Sequence, residues 1–573
     1  MDTAWYYQRE LEQLRTLAIE FSRAHPAVAP LLAGPSSDPD VERLLEGTAY
    51  LTGQLAQKLD ESYDLIAENL SAIVLPQLLR DTPSCTMMQF KPKAALKAPL
   101  VLPAGSRVGS VEQDGVSCVF STTSPVQLAP IRLASVEAHT RPGLSPNLAL
   151  HFKLDAPGAL EGMKSLRLHL TGQRANAAYR LYVLLFSTTS ITLQSGSRSL
   201  RLPASALRPT GFTNDEGLFP YPPTAWEGYR ILQEYYVFPE KFYFLDIMLP
   251  EKGFLEPFAE EFSCHFEFEN EVAEHFPDFT TGHFALFAAP AVNLFPFETV
   301  PIKANLKKES YAIRPNAPQH NAYVPYLINK VTGVGPSGEE RLYCPVLAAP
   351  HETAIPSYTV HCPKDADGRR QMHLFPMYSP DGGLPESEIL SLDVLYSNGD
   401  LPANLNIGDV KMPLSTSPAL ADFTNLTPPT RPAPSPGDGN TLWAMLAHLH
   451  LNYLPLADAT TLQALLTTYL PQKVDALYVN ANKRRIESIL AVKSEGTDFL
   501  WKGRPIRGVD VTVTLDGTGF SNTGDMCLFG MVVAKFLHGY SPINSFMRVS
   551  VTDSLNQRAF QWMKHQQNPS RLS

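Results

Sequence analysis

The sequence predicts a multidomain α+β protein, with an N-terminal helical segment, a β-rich, proline-punctuated middle and a small α+β C-terminal domain. Three observations carry this reading. An apolar stripe of helical period opens the chain, short alternating stretches broken by proline and glycine fill the middle, and mixed helical and alternating patterns return after residue 440. At 573 residues the chain exceeds the roughly 150 residues of a typical domain several times over, so several self-sufficient cores are expected.

The first helix is written in Tyr7, Leu11, Leu14, Ala18 and Phe21, whose 4-3-4-3 spacing keeps one stripe on one face, as in a coiled-coil seam. Ser37, Asp38 and Pro39 mark a fresh start, because Asp38 suits an N-cap and Pro39 tolerates the first helical position. A second helix carries Val41, Leu44, Leu45, Leu51, Leu55 and Leu59, and a third stretch carries Ile66, Leu70, Ile73 and Val74 before Pro76. These helices either pack on themselves or offer their first stripe to another chain.

From about residue 85 the pattern becomes period-two, as in Leu150 to Leu154 and Leu166 to Leu170, which places apolar groups on one face of a sheet. Phe262, Cys264, Phe266 and Phe268 point one way while His265, Glu267 and Glu269 point the other, a half-buried strand. Thr427 to Gly437 is proline-rich and reads as a linker. Beyond it, Thr441 to Leu454 and Thr461 to Leu470 read as helices. Val509 to Leu515 alternates into an Asp516-Gly517 turn, Cys527 to Leu537 reads as a buried helix, and Met547, Val549 and Val551 alternate again. The expected domains are therefore 1–84, 85–200, 201–426, a linker at 427–440, and 441–573.

Charge argues against nucleic acid as a partner. The net charge is −10 and no basic run exceeds Lys483-Arg484-Arg485, which offers no phosphate-tracking surface. Charged residues make up only 18% of the chain and 50 residues are proline, against roughly 25% charged in ordinary soluble domains, as expected of a loop-rich chain that buries surface against partners. The six cysteines lie far apart with no CxxC pair, so reduced thiols are expected rather than a disulfide framework or zinc ribbon. The opening Met1 to Glu10 lacks a basic, then apolar, secretion signal, and the longest apolar runs fall short of the roughly 20 residues a bilayer demands. A cytoplasmic protein without membrane insertion is expected.

Chemical motifs are sparse. Gly333-Val334-Gly335-Pro336-Ser337-Gly338 is a formal GxGxxG, but Glu339 and Glu340 follow it instead of a helix N-terminus and would repel a pyrophosphate. A surface loop is expected. Cys344, His361, Cys362 and His373 lack ligand spacing, since neighbours on a strand face opposite ways. His265, Glu267 and Glu269 read as one face of a solvated strand. No GxSxG, HExxH or phosphate loop occurs. Catalytic, cofactor and metal residues are expected to be absent, and the protein is expected not to be an enzyme.

Longer blocks are more informative. Tyr6-Tyr7-Gln8-Arg9-Glu10-Leu11, Asp38 to Gly47, and Leu75 to Arg80 with Pro83-Ser84 resemble the N-terminal region of the TssF (VasA, ImpG) family, baseplate subunits of the type VI secretion system. The resemblance continues through Leu202 to Phe212, Tyr221-Pro222-Pro223, Leu232 to Tyr236, Phe238 to Phe242, Val292 to Phe295, Asn398 to Pro402, Leu451 to Leu454 and Ser545-Phe546. It weakens in the proline-rich stretch near residue 430.

The resemblance implies a structural role with no catalytic residues or cofactors to transfer. Such subunits pair with TssG, alongside a second TssF copy, into wedges of a contractile injection machine. They are joined by TssK and TssE, surround the VgrG spike, and dock on the membrane complex at the cytoplasmic face of the inner membrane. The assembled platform nucleates tube and sheath and transmits the firing rearrangement. Tyr7, Leu11, Leu14, Ala18 and Phe21 are then the expected partner interface. The reading from another class is a multidomain β-rich carbohydrate-active or ligand-binding protein.

Overall fold

The first helical period yields α1 (Thr3–Ala24), and the second and third stretches form one continuous helix, α2 (Pro39–Val74). Two separate helices were expected there. Residues 60–65 contain neither proline nor glycine, so nothing ends the first stretch before the second begins. Asp40 and Glu42 occupy the first turn of α2, where they meet the positive end of the helix dipole. The computed structural model describes residues 3–25, 39–74, 79–140, 145–221, 227–250, 259–305, 308–346, 355–362, 371–378, 387–435, 458–471, 475–501, 504–541, 546–556 and 559–565. The expected cap at Asp38 and the helix at Thr441 to Leu454 lie outside these residues. Contacts divide the chain into two units, residues 1–79 with 436–450 and residues 80–435 with 451–573.

The second unit is built of interleaved sheets. One runs β24 (Val410–Met412), β3 (Arg107–Gln113), β4 (Val116–Thr122), β15 (Ala288–Val292), β1 (Cys85–Pro92), β25 (Ala421–Asn425). A second runs β10 (Arg198–Pro203), β9 (Thr188–Ser195), β13 (Glu261–Phe268), β7 (Asn147–Leu154), β6 (Ile131–His139). A third runs β11 (Leu207–Pro209), β12 (Phe244–Met248), β8 (Ser165–Leu170), β14 (Phe284–Leu286), and β2 (Leu100–Leu102) pairs β5 (Val126–Leu128). The largest runs β16 (Phe295–Phe297), β23 (Glu388–Ser397), β19 (Val324–Val334), β20 (Glu340–Pro345), β21 (Ser357–His361), β22 (His373–Met377), β18 (Tyr311–Ala312), with β17 (Ile302–Ala304) also beside β23.

Pairing across long separations follows. β1 lies between β15 and β25, with Met88 opposite both Ala289 and Asn425. The proline-rich stretch extends this contact. Thr430 N–H donates to Cys85 O at 2.9 Å, Ala433 bridges Thr82, and the Thr427 hydroxyl accepts from Met87 N–H at 3.0 Å. Over residues 427–435, therefore, one residue in three is fastened to the strand at 82–87, while the prolines between them have no N–H to give. The GxGxxG segment is the turn of the β19–β20 hairpin, with Gly338 at φ +83°.

The C-terminal sheet runs β26 (Ile489–Trp501), β27 (Arg504–Leu515), β28 (Phe546–Asp553), β29 (Ala559–His565). β27 and β28 are parallel, so the connection between them must cross the sheet, and α7 (Thr523–His538) makes that crossing. Nearly all of α7 is buried, as its apolar run requires. Its cap, Asn522, accepts from Asp525 N–H and donates to Ala175 O in α3 (Arg174–Phe186). The remaining helices are α4 (Glu227–Val237), α5 (Ala459–Thr468) and α6 (Ala476–Glu487).

Two polar clasps sit in the apolar interior. In the first, Glu234 of α4 has no exposed surface. Its carboxylate accepts from Leu218 N–H at 2.7 Å, from Arg230 at 3.1 Å, and from the Lys241 ammonium. Burial holds that ammonium below the ordinary lysine range, and Glu234 opposes the shift. Arg230 also donates to the carbonyls of Phe212 and Thr213. Gly211, at φ +94°, lets the chain pass so close that an added Cβ would stand 2.7 Å from Lys241 O. In the second clasp, the Asn293 amide donates to Val119 O and to Asn398 Oδ1, both at 2.8 Å, and Asn398 N–H returns a bond to Asn293 Oδ1 at 2.6 Å.

Removing one member of a buried ion cluster strands the others, which costs about 3–5 kcal/mol. Glu234→Ala is expected to lower unfolding stability by that amount in urea denaturation. His169 is buried and its Nε2–H donates to Glu240 O at 3.1 Å. Burial depresses its pKa to about 4. Below the unfolded value near 6.5 the unfolded chain binds the extra proton, so this contribution is full above pH 6.5 and is lost as pH falls towards 4. From pH 7 to pH 5 the His169 term falls by about 2 kcal/mol, and His169→Gln, which keeps a donor, is expected to remove that part of the pH dependence in parallel denaturation curves.

Candidate assembly interface

Among the described residues, exposed large apolar side chains are densest along the two helices of the first unit. α1 and α2 pack on each other through small residues: Ala49 is fully buried, and a Cβ added at Gly53 would stand 3.1 Å from Tyr7 N and 3.2 Å from Tyr6 C. The helix backbones therefore meet closely at this crossing, where glycine leaves room that any side chain would crowd. Facing them on α1 are Tyr6, Leu11, Ala18 and Ser22, all buried, and the Ser22 hydroxyl satisfies itself on Ala18 O at 2.7 Å. The Arg15–Glu42 pair at 3.1 Å ties the two helices at the surface, where such a pair contributes little.

The five residues expected at the interface divide accordingly. Leu11 and Ala18 are buried within the chain, Tyr7 and Leu14 are half-buried, and Phe21 is 51% exposed. Phe21 is joined one turn earlier by Leu17, also 51% exposed, while Trp5 and Ile19 are exposed on the opposite flank. The larger exposed stripe belongs to α2 and was not singled out from sequence. Leu44, Leu51 and Leu55 are 71%, 67% and 62% exposed, and Leu59 and Leu70 continue them. Their spacing of seven, four, four and eleven holds them to one side of the helix. The signal was present in the second-helix leucines, but the sequence reading offered only the first helix's stripe to another chain.

Each fully buried leucine is worth about 1.5–3 kcal/mol, so this stripe leaves a large association energy uncollected. Large exposed apolar patches are the usual mark of protein–protein sites. No helix among the described residues is long and apolar enough to cross a membrane.

Comparison with known proteins follows the same line. Residues 2–568 match the family described as Type VI secretion system, TssF. The chain belongs to the TssF family. The type VI secretion system component TssF1 of Pseudomonas aeruginosa (strain ATCC 15692, PAO1) is 28% identical over 622 residues, spanning 97% of each protein. A chain of the cryo-electron microscopy structure of the type VI secretion system TssK-TssF-TssG baseplate subcomplex superposes with a TM-score of 0.77 at 26% identity, covering 93% of this chain and all of that one. A chain of the baseplate complex from the type VI secretion system shares the fold, with a TM-score of 0.62 at 23% identity over 99% of this chain and all of that one. The chain is thus a member of a family of type VI secretion system components, and the solved chains it resembles belong to baseplate assemblies.

Gly53→Val should force α1 and α2 apart, at the 1–3 kcal/mol or so typical of overpacking. Hydrogen exchange is expected to accelerate across α1 while strands of the second unit keep their protection.

Proposed function

We propose that this chain is a structural wedge subunit of a type VI secretion baseplate, working by protein–protein contact and without a catalytic step. The observation that carries the reading is the leucine stripe of α2, which stays in water in the isolated chain and which association would cover. Membership of the TssF family, together with likeness to a chain of the TssK-TssF-TssG subcomplex, supports TssG as the partner that takes this stripe and TssK as a further neighbour.

A second copy of the chain, TssE and the VgrG spike complete the contacts of the wedge, assembled against the membrane complex at the cytoplasmic face of the inner membrane. In this reading the platform nucleates tube and sheath, and firing is a rigid-body rearrangement at bistable interfaces. Family membership across nearly the whole chain favours assembly over the carbohydrate-active or ligand-binding alternative.

The test is co-expression with TssG. Leu51→Asp combined with Leu55→Asp changes two exposed positions, so helicity and solubility are expected to persist while co-elution with TssG is lost. Retained co-elution would overturn the assignment of this stripe. Leu11→Asp is a poor substitute, because Leu11 is buried against the chain's own helix pair.

A further inference from the structure

The C-terminal sheet ends on an open edge. β26 is its outermost strand and, at 13 residues, the longest strand among the described residues. Native sheets keep such edges short or covered, because a row of unpaired N–H and C=O groups is a template for another strand. One end is closed: Gln463 Nε2 of α5 donates to Ile489 O at 2.9 Å. From Leu490 onwards, itself 55% exposed, no other strand among the described residues pairs with the outer side of β26.

The charges on this strand are incompletely matched within the chain. Lys493 and Glu495 are both exposed and, two residues apart, share one face of the sheet. Glu495 stands opposite Asp510 on β27, and Asp510 stands opposite Arg548 on β28, whose guanidinium donates to it at 2.9 Å. The row therefore runs acid, acid, cation from the edge inward, and nothing across the edge neutralises the outer acid. Neither Lys493 nor Glu495 forms an ion pair among the described residues.

We propose that this edge joins a second copy of the chain, β26 to β26 and antiparallel, about a two-fold axis at Ser494. In that register Lys493 lies opposite Glu495 of the second copy, and the reverse pair lies on the other side of the axis, as an isologous interface requires. Each outer acid gains a cation, so the row in both copies runs cation, acid, acid, cation. Sliding the second copy by two residues either way sets Lys493 against Lys493 or Glu495 against Glu495 at the axis, and like charges directly opposite destabilise a strand pair. The same two charges therefore select one register and reject its neighbours. Leu490 falls opposite Asp498, so pairing spans residues 490–498 of each copy and stops short of the end that Gln463 closes. This rests on the reading above, in which a second copy belongs to the wedge, and names the surface through which the copies meet, leaving the α2 stripe to TssG.

A disulfide placed on the axis traps the pairing. Residues directly opposite on antiparallel strands have Cα atoms about 4.5–5.5 Å apart, within the roughly 4.4–6.8 Å that a disulfide bridges. The full-length chain carries Cys344→Ser and Cys362→Ser, which removes the cysteines that are not buried. In it, Ser494→Cys is expected to give a disulfide-linked dimer under mild oxidation, whereas Thr497→Cys, which the register sets opposite Ala491, is expected to give none. Adding Lys493→Glu to Ser494→Cys should slow cross-linking by about tenfold, because both matched pairs become like-charged, and adding Glu495→Lys to that variant should restore the rate. Circular dichroism shows that each variant is folded. Leu51→Asp with Leu55→Asp is expected to leave the cross-link intact, so failure of the α2 assignment and failure of this one are read separately. No dimer from Ser494→Cys, an equal yield from Thr497→Cys, a charge swap that restores nothing, or loss of the cross-link in the α2 variant would each overturn the proposal.

Discussion

A carboxylate sealed from water, that of Glu234, is the interaction on which the middle of the second unit depends. An isolated buried charge is untenable, so Glu234 must be surrounded by donors, and the donors come from three places: Arg230 one turn back on α4, Lys241 beyond the helix end, and the backbone at Leu218. Arg230 then reaches the carbonyls of Phe212 and Thr213. One negative charge thus fixes the path of the loop from Gly211 to Leu218 against α4, and the left-handed glycine at 211 lets that loop come close enough. The gain is less in net energy than in a single permitted arrangement.

The two helices of the first unit show the opposite economy. Beside Tyr6 and Leu11, their mutual contact uses the small side chains Ala18, Ala49 and Gly53, while leucines of α2 remain outside. Small residues let backbones approach closely, and the residues with the greatest transfer free energy are left over. A pair built in this way holds its two helices together without covering the leucines of α2.

Much of the architecture was readable in the sequence because periodicity reports which face is covered. The alternation around Phe262 to Phe268 and around Val509 to Leu515 matches the burial of those strands, and the run at Cys527 to Leu537 is the buried α7. Partners across a sheet were not readable, since period-two alternation is the same whether Met88 faces Ala289, Asn425 or neither. The two clasps escaped for a related reason. Glu234 with Lys241, and Asn293 with Asn398, lie in separate blocks of the family resemblance, yet nothing local says that a polar side chain will meet its complement 105 residues away. The α1 stripe was half legible: its helical period was plain, but its depth of burial depended on the close crossing at Gly53.

The threading of β1 between β15 and β25 has a consequence for biogenesis. The Thr86 hydroxyl bonds Thr427 O across 341 residues of sequence, and a ribosome adding about 5–20 residues per second needs tens of seconds to make the later strand after the earlier one has emerged. Through that interval Met87, Met88 and Phe90, which end fully enclosed, have no covering strand on one side. Nascent chains of this topology are natural clients for holdase chaperones, and early truncations would be removed by proteases instead of surviving as stable fragments.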